Sequence, residues 1–305
     1  FIFIGDHKQL PAVVQQSERE SIVSEPELIK IGMSDCRNSL FERLINIQKK
    51  NGSEDFIHML FKQGRMHPEI SSFSNEIFYE KKLKLIPLKH QLEILHCPIY
   101  DKSDGLQNLI ASHRLAFIVS KGDKNPISDK TNKDEAIRIS ALLKTIYTIN
   151  KNNFNPQTVG VIVPYRNQIA LIRKEIKQLN IPALSDITID TVERYQGSER
   201  DFIIYGFTVQ KIYQLEFLTG NVFKDNGQII DRKLNVVLTR ARKQLFLIGN
   251  PQILSYNAIF QKLIKFIDNR QGVCDIPTEY FIQGKFSCSL ADKTSVPDSR
   301  QKLNV

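Results

Sequence analysis

Thr158-Val159-Gly160-Val161-Ile162-Val163-Pro164-Tyr165-Arg166-Asn167-Gln168 begins as a short apolar run, breaks at a proline and passes directly into a helical pattern. The run from Thr158 to Val163 has no polar alternation, as expected of a strand covered on both faces. From Asn167 to Leu179 the apolar residues recur three and four apart, the period of a helix with one buried stripe. A buried strand feeding a helix is half of a crossover unit, and the alternation recurs along the chain. Leu115 to Val119, Ile187 to Thr191, Phe202 to Phe207 and Leu245 to Gly249 read as further strands, and Phe1 to Ile4 as another. Ser39 to Lys49, Pro68 to Phe78, Lys133 to Ile149 and Gln252 to Asn269 read as helices. His67-Pro68 marks a helix start, because proline is tolerated in the first turn. The expected fold is α/β, a mainly parallel sheet flanked by helices.

Punctuation between these elements is local. Asp225-Asn226-Gly227 separates two apolar segments and predicts a tight hairpin turn. Cys97 to Asn108 and Gly122 to Asn132 are polar and turn-rich, and are expected to be surface loops. Past Gly272 the periodicity fades, so residues 273–305 are expected to form a polar, poorly ordered tail.

Bulk composition bounds the function classes. Of the 305 residues, 41% are hydrophobic and 25% charged, which excludes wholesale disorder and fibrous repeats. No apolar run approaches the length of a membrane span, so no membrane partner is expected. The net charge of +9 favours an anionic partner, nucleic acid first. Cys36, Cys97, Cys274 and Cys288 are widely spaced without a C-x-x-C pair, which points to neither a zinc site nor a disulfide framework. That cysteine usage fits a reducing compartment, the cytoplasm or, in a eukaryote, the nucleus.

Five segments carry chemistry. Gly5-Asp6-His7-Lys8-Gln9-Leu10-Pro11 follows an apolar run, and Arg65-Met66-His67-Pro68-Glu69-Ile70 opens a helix. Val161 to Gln168 is the strand-to-helix corner quoted above. Thr191-Val192-Glu193-Arg194-Tyr195-Gln196-Gly197-Ser198-Glu199-Arg200-Asp201 and Leu234-Asn235-Val236-Val237-Leu238-Thr239-Arg240-Ala241-Arg242 follow. In this order they resemble motif III, the arginine motif and motifs IV, V and VI of superfamily 1 helicases. The branch resembled is subgroup B, which includes the nonsense-mediated-decay and Okazaki-fragment helicases, and the resemblance spans roughly residues 1 to 250.

The resemblance implies a RecA-like P-loop NTPase second domain, with the truncated end of a first RecA-like domain before it. Residues 1–50 would be that remnant, 51–272 the second motor domain and 273–305 the tail. Phosphoryl transfer asks a protein for charge around the γ-phosphate and a water held in line, and arginine's planar fork suits the first task. By position in the motifs, Arg65 and Arg240 would be arginine fingers, Arg242 their brace and Gln9 the γ-phosphate sensor, with Asp6 coupling that sensor to the strand. Glu199, with Gln196 and Gly197, would meet the nucleotide, Glu199 accepting from its ribose. Thr191, Ser198 and the Pro164-Tyr165-Arg166 corner would grip single-stranded DNA or RNA through its phosphates. Tyr165 could alternatively be a packing residue, Gln196-Gly197 an ordinary turn, Thr239 a helix residue bonding back to a carbonyl, and the arginines members of surface ion pairs.

Two departures matter. The family carries an aromatic residue before the motif arginine, stacking on adenine, where this chain has Gly64. No G-x-x-x-x-G-K-[ST] loop and no Asp-Glu pair after a strand occurs, so the ligands for ATP-bound Mg2+ are expected in a preceding part of a longer protein, with none in this chain. The rival reading is a non-catalytic nucleic-acid-binding or regulatory module that keeps the helicase fold; the joint presence of Gln9, Arg65, Glu199, Arg240 and Arg242 argues against it.

Overall fold

In the computed structural model, which describes residues 1–11, 13–95, 104–123, 125–225 and 227–283, the β-branched runs assemble into one sheet of six parallel strands. These are β1 (Leu115–Val119), β2 (Val159–Ile162), β3 (Thr188–Asp190), β4 (Arg200–Gly206), β5 (Ala241–Gly249) and β6 (Val273–Cys274), in the spatial order β6-β1-β5-β4-β2-β3. The strands pair so that Ala116, Phe246, Ile204, Val161 and Ile189 form one row across the sheet. One residue on, Phe117, Leu247, Tyr205 and Ile162 form the row on the opposite face. Because side chains alternate along a strand, the two rows feed two separate cores.

The helices cover both faces, which is why the central strands are apolar throughout. α1 (Leu40–Lys50), α2 (Pro68–Ile77), α3 (Gly105–Ser112), α4 (Lys133–Ile149), α5 (Arg166–Gln178), α6 (Arg232–Leu238), α7 (Ala258–Asp268) and α8 (Thr278–Gln283) are the elements used below. Ile139, Leu142, Leu143 and Ile146 of α4 and Ile172 and Ile176 of α5 pack on the Phe246 row. Ile70 and Phe73 of α2, with Phe260, Leu263 and Ile267 of α7, pack on the Phe117 row. The predicted hairpin is present, Val222–Asp225 against Gln228–Asp231, with Gly227 at a positive φ of 78° in its turn; Asn226 lies outside the described residues.

Four expectations need correction. Phe1 to Ile4 forms no strand and is exposed, since a buried strand needs neighbours to pair with and none of the described strands takes it. The helix expected over 252–269 is two, Pro251–Leu254 and α7, because the Asn257 side chain accepts from the Ile259 and Phe260 amides and starts a new helix. Residues 105–108 belong to α3 rather than to a loop, Asp104 capping the Leu106 and Gln107 amides; residues 96–103 lie outside the described residues. Residues 273–283 are ordered against the body: β6 pairs with β1, and the buried Arg138 of α4 donates to the Ile276 carbonyl at 2.7 Å and to the Thr278 hydroxyl at 3.1 Å. The expected tail beyond 283 lies outside the described residues.

One buried acid ties the sheet edge to α4. Glu135 is fully buried, yet it accepts from the Thr208 amide at 2.8 Å and the Ser120 hydroxyl at 3.2 Å. Burial pushes its carboxyl up to about 8 against these hydrogen bonds. The folded chain therefore holds a proton that the unfolded chain releases near its ordinary value, so stability falls as pH rises between about 4.5 and about 8. We expect Glu135→Gln to flatten that slope, measured as urea midpoint against pH; a slope unchanged in the variant would place its origin elsewhere.

Candidate functional site

The segment Asp6 to Gln9 is a tight turn, closed by the Gln9 amide on the Asp6 carbonyl at 3.1 Å and by the Lys8 amide on the Asp6 carboxylate at 3.0 Å. Side chains from later in the chain grip it and the following Leu10. Tyr79 donates to the Asp6 carboxylate at 2.5 Å, Arg232 to the His7 carbonyl at 3.1 Å and Asn235 to the Lys8 carbonyl at 2.8 Å. Gln196 donates to the Leu10 carbonyl at 3.0 Å and Arg240 to the Gln9 side-chain oxygen at 3.0 Å. Burial first, with the Asp6 charge adding to it, raises the Tyr79 hydroxyl far above its ordinary value, so it stays a donor. Asn235 also donates to Tyr79, closing a small buried network at the start of α6.

Arg240 follows α6 and is 2% exposed. Its remaining hydrogen bonds go to the Val236 carbonyl at 3.0 Å, the Thr239 hydroxyl at 2.9 Å and the Ser198 carbonyl at 3.4 Å. Thr239 bonds back to the Asn235 carbonyl at 2.8 Å, the alternative read for it from sequence. Burial, then the neighbouring Arg65 charge, lowers the Arg240 guanidinium to about 10, which leaves it a cation at neutral pH. Arg65 is placed by Gln63, whose side-chain oxygen accepts from the Arg65 and Met66 amides at 3.1 and 2.9 Å.

Arg65 reaches Glu199 at 2.5 Å and the Thr239 carbonyl at 3.3 Å. Glu199 turns its other oxygen to Arg242 at 3.5 Å, and Arg242 is held by Asp201 at 2.6 Å. Burial would raise the Glu199 carboxyl, but the Arg65 hydrogen bond and charge, with Arg242 and Arg240 behind, hold it below its ordinary value. Four predicted residues, Gln9, Arg65, Arg240 and Arg242, thus converge with Glu199 on one part-open patch. Gly197 supplies the positive φ of 86° that its turn requires, and a β-carbon there would point into open space. A β-carbon on Gly64 would instead meet Leu88 at 3.1 Å and Ile86 at 3.5 Å, so aliphatic side chains occupy the space beside it.

Pro164, Tyr165, Arg166 and Thr191 gather elsewhere, lining a cleft of about 930 Å³ together with Lys130 and Arg194. Ser198, predicted for the same surface, sits at the arginine patch. The Tyr165 ring is 8% exposed and stacks on Phe217 at 4.9 Å and 24°, so it is a packing residue of the cleft wall rather than an open platform. Sequence reasoning missed Tyr79, Arg232 and Phe217; Asn235 stood inside a quoted motif but carried no assigned role.

A family model described as an AAA domain matches residues 36–252. The chain belongs to the AAA-domain family. Among curated relatives, an uncharacterised ATP-dependent helicase of Methanocaldococcus jannaschii is 30% identical, over 87% of this chain and 34% of its own length. The human DNA replication ATP-dependent helicase/nuclease DNA2 is 26% identical over 91% of this chain and 25% of its own. The ATP-dependent helicase upf1 of Schizosaccharomyces pombe is 25% identical over all of this chain and 29% of its own. The chain therefore spans about a quarter to a third of these proteins, and it matches the C-terminal half of a superfamily 1B helicase. Among solved structures, the C-terminal domain of a possible DNA helicase from a Lactobacillus has a TM-score of 0.27 at 11% identity, over 52% of this chain and 88% of that one, too low to bear on the fold.

The network at α6 makes a prediction. Asn235→Ala leaves the buried Lys8 carbonyl without its donor, and the loss is expected to cost about 1–3 kcal/mol. We expect a lower urea midpoint and faster proteolytic cutting within residues 1–50; cutting at the parent rate would show that Asn235 does not hold the turn.

Proposed function

We propose that this AAA-domain chain is the part of an ATP-dependent helicase or translocase that completes the nucleotide site and grips the strand, residues 1–50 ending a first RecA-like domain and residues 51–272 forming the second. The observation that carries this reading is the direct hydrogen bond from Arg240 to Gln9, 231 positions apart in the chain. It sets a group that is a cation at neutral pH against a neutral amide, the pair needed to stabilise charge on a γ-phosphate while orienting a water. Arg65 is the second finger. A phosphate entering the patch would compete with Glu199 for Arg65, freeing that carboxylate to accept from a ribose. Arg242, held by Asp201, keeps the local charge positive throughout.

ATP is the substrate this patch fits, with Mg2+ as its companion ion. Among the described residues no group of three or more His, Cys, Asp or Glu side chains could hold a metal, so no step is assigned to metal ligands of this chain. No described helix is long and apolar enough to cross a membrane. For the strand, the cleft offers Arg166, Arg194 and Lys130, set among the carboxylates Asp129, Glu193 and Glu216, so phosphates of single-stranded DNA or RNA would be met by those three cations without reading of base identity.

The test is ATP turnover by the full-length protein with and without single-stranded DNA and RNA. Removing a transition-state arginine is expected to cost about 10³-fold or more in kcat. Because Arg240 is buried, Arg65→Ala at the more open position is measured beside Arg240→Ala. Strand-stimulated turnover that collapses in both variants is the expected result; absent turnover with intact strand binding would support the non-catalytic module instead.

A further inference from the structure

The hairpin Val222–Asp225/Gln228–Asp231 lies between the motif segments and belongs to none of them. It contributes little to the core: Ile230 is buried, while Val222 and Ile229 are exposed. Its tip nevertheless carries a carboxylate that is only 10% exposed. Asp225 accepts the Lys8 ammonium at 3.0 Å, the Lys49 ammonium at 2.9 Å and the His7 ring at 3.4 Å. All three partners lie within residues 1–50, two of them in the turn that presents Gln9.

The foot of the hairpin is fastened to the same segment. Arg232, the residue after its second strand, pairs with Glu42 of α1 and donates to the His7 carbonyl at 3.1 Å. Its guanidinium lies 4.1 Å from the Phe223 ring centre, and the His7 ring meets the same phenylalanine edge-on at 6.1 Å. Lys8 also donates to the Phe78 carbonyl at 2.7 Å and has Glu80 at 3.8 Å, so Asp225, at 3.0 Å, is the nearer of two carboxylates in a cage around an ammonium that is 9% exposed. A mostly buried ammonium keeps its place only while a counter-charge does. Removing Asp225 gives Lys8 reason to leave the cage and carry the adjacent Gln9 with it.

We propose that Asp225 is a positioning residue for ATP hydrolysis: by holding Lys8 and Lys49 it fixes the Asp6–Gln9 turn against α6, so that Gln9 meets Arg240. This rests on the motor reading above. The effect runs through Gln9, which separates it from a role in stability alone. A misplacement of about 1 Å in a catalytic group can cost as much as ~10²-fold in rate.

The experiment uses the full-length protein and reads strand-stimulated kcat, KM for ATP and thermal midpoint in Asp225→Asn, Asp225→Glu, Gln9→Ala, Arg240→Ala and the Gln9→Ala/Asp225→Asn double variant. Asp225→Asn is expected to lower kcat about 10-fold with KM for ATP changed less than about 2-fold. Asp225→Glu should recover most of the loss, and the double variant should be no slower than Gln9→Ala alone. If Asp225→Asn fails to fold, Lys49→Met removes one partner from the solvent side and carries the same expectations. An active parent with an inactive Arg240→Ala, but with kcat retained in Asp225→Asn or losses that multiply in the double variant, would overturn the positioning role and leave the motor intact. A parent without turnover, or an Arg240→Ala variant with full turnover, would overturn the motor reading and this proposal with it.

Discussion

A guanidinium that is 2% exposed must be surrounded by acceptors or it cannot be there, and the arrangement around Arg240 follows from that constraint. Three of its acceptors, the Val236 and Ser198 carbonyls and the Thr239 hydroxyl, come from α6, the residue after it and the approach to β4. The fourth, Gln9, comes from the far end of the chain. Satisfying one buried cation therefore fixes the relative position of three segments that no local rule would bring together. The second grip on the same turn, through Asn235, Tyr79 and Gln196, is neutral, so the charge at the patch stays concentrated on the arginines.

The parallel sheet explains why the cleft and the arginine patch lie apart and how they connect. Pro164 to Arg166 leaves the carboxyl end of β2, Thr191 leaves that of β3, and the cleft lies outside these ends, where open α/β sheets place their ligands. The arginine patch lies at the opposite edge, just before β4 and β5, where Glu199 precedes Arg200 and Arg240 precedes Ala241, the two strand-opening residues that pair. A single short segment, Thr191 to Glu199, runs from one edge to the other. Its middle is anchored by Tyr195, which is 1% exposed and packs so closely on Gly160 that a β-carbon there would lie 1.6 Å from the tyrosine oxygen. That anchor fixes the middle of the segment that joins Thr191 to Ser198 and Glu199.

Legibility from sequence followed the range of the interaction. Five strands and the α4 and α5 helices were readable because burial on both faces or on one stripe writes itself into local periodicity. Phe1 to Ile4 has the same apolar signature, but a strand also needs a neighbour, which periodicity cannot report. The interruption before α7 was written in Asn257, a cap that apolar spacing alone passes over. Motif order singled out Gln9, Arg65, Glu199, Arg240 and Arg242, which the fold gathers in one patch. Tyr79, Arg232 and Asp225 were invisible because each acts on a partner more than 70 positions away, and a lone Tyr, Arg or Asp carries no mark of that. Tyr165 was visible and ambiguous: its ring packs on Phe217, a neighbour 52 positions on that spacing does not announce.

The choice of arginine over lysine at position 240 bears on whether the patch is a motor part or a remnant. The Arg240 side chain donates through Nε and both terminal nitrogens, serving the Val236 carbonyl, the Ser198 carbonyl, the Thr239 hydroxyl and Gln9 at once. A lysine offers three donors from one point and could not span those directions. Burial has already brought the Arg240 guanidinium down to about 10. A lysine in the same place would meet the same burial and the same Arg65 charge, both of which disfavour its charged form. Purely structural packing would be served as well by an apolar side chain of similar volume, which costs no desolvation. Arg138 is as deeply buried and spends its fork on the Ile276 carbonyl and the Thr278 hydroxyl, so what sets Arg240 apart is not burial of the cation but its neighbours, the Gln9 amide and the Arg65 charge.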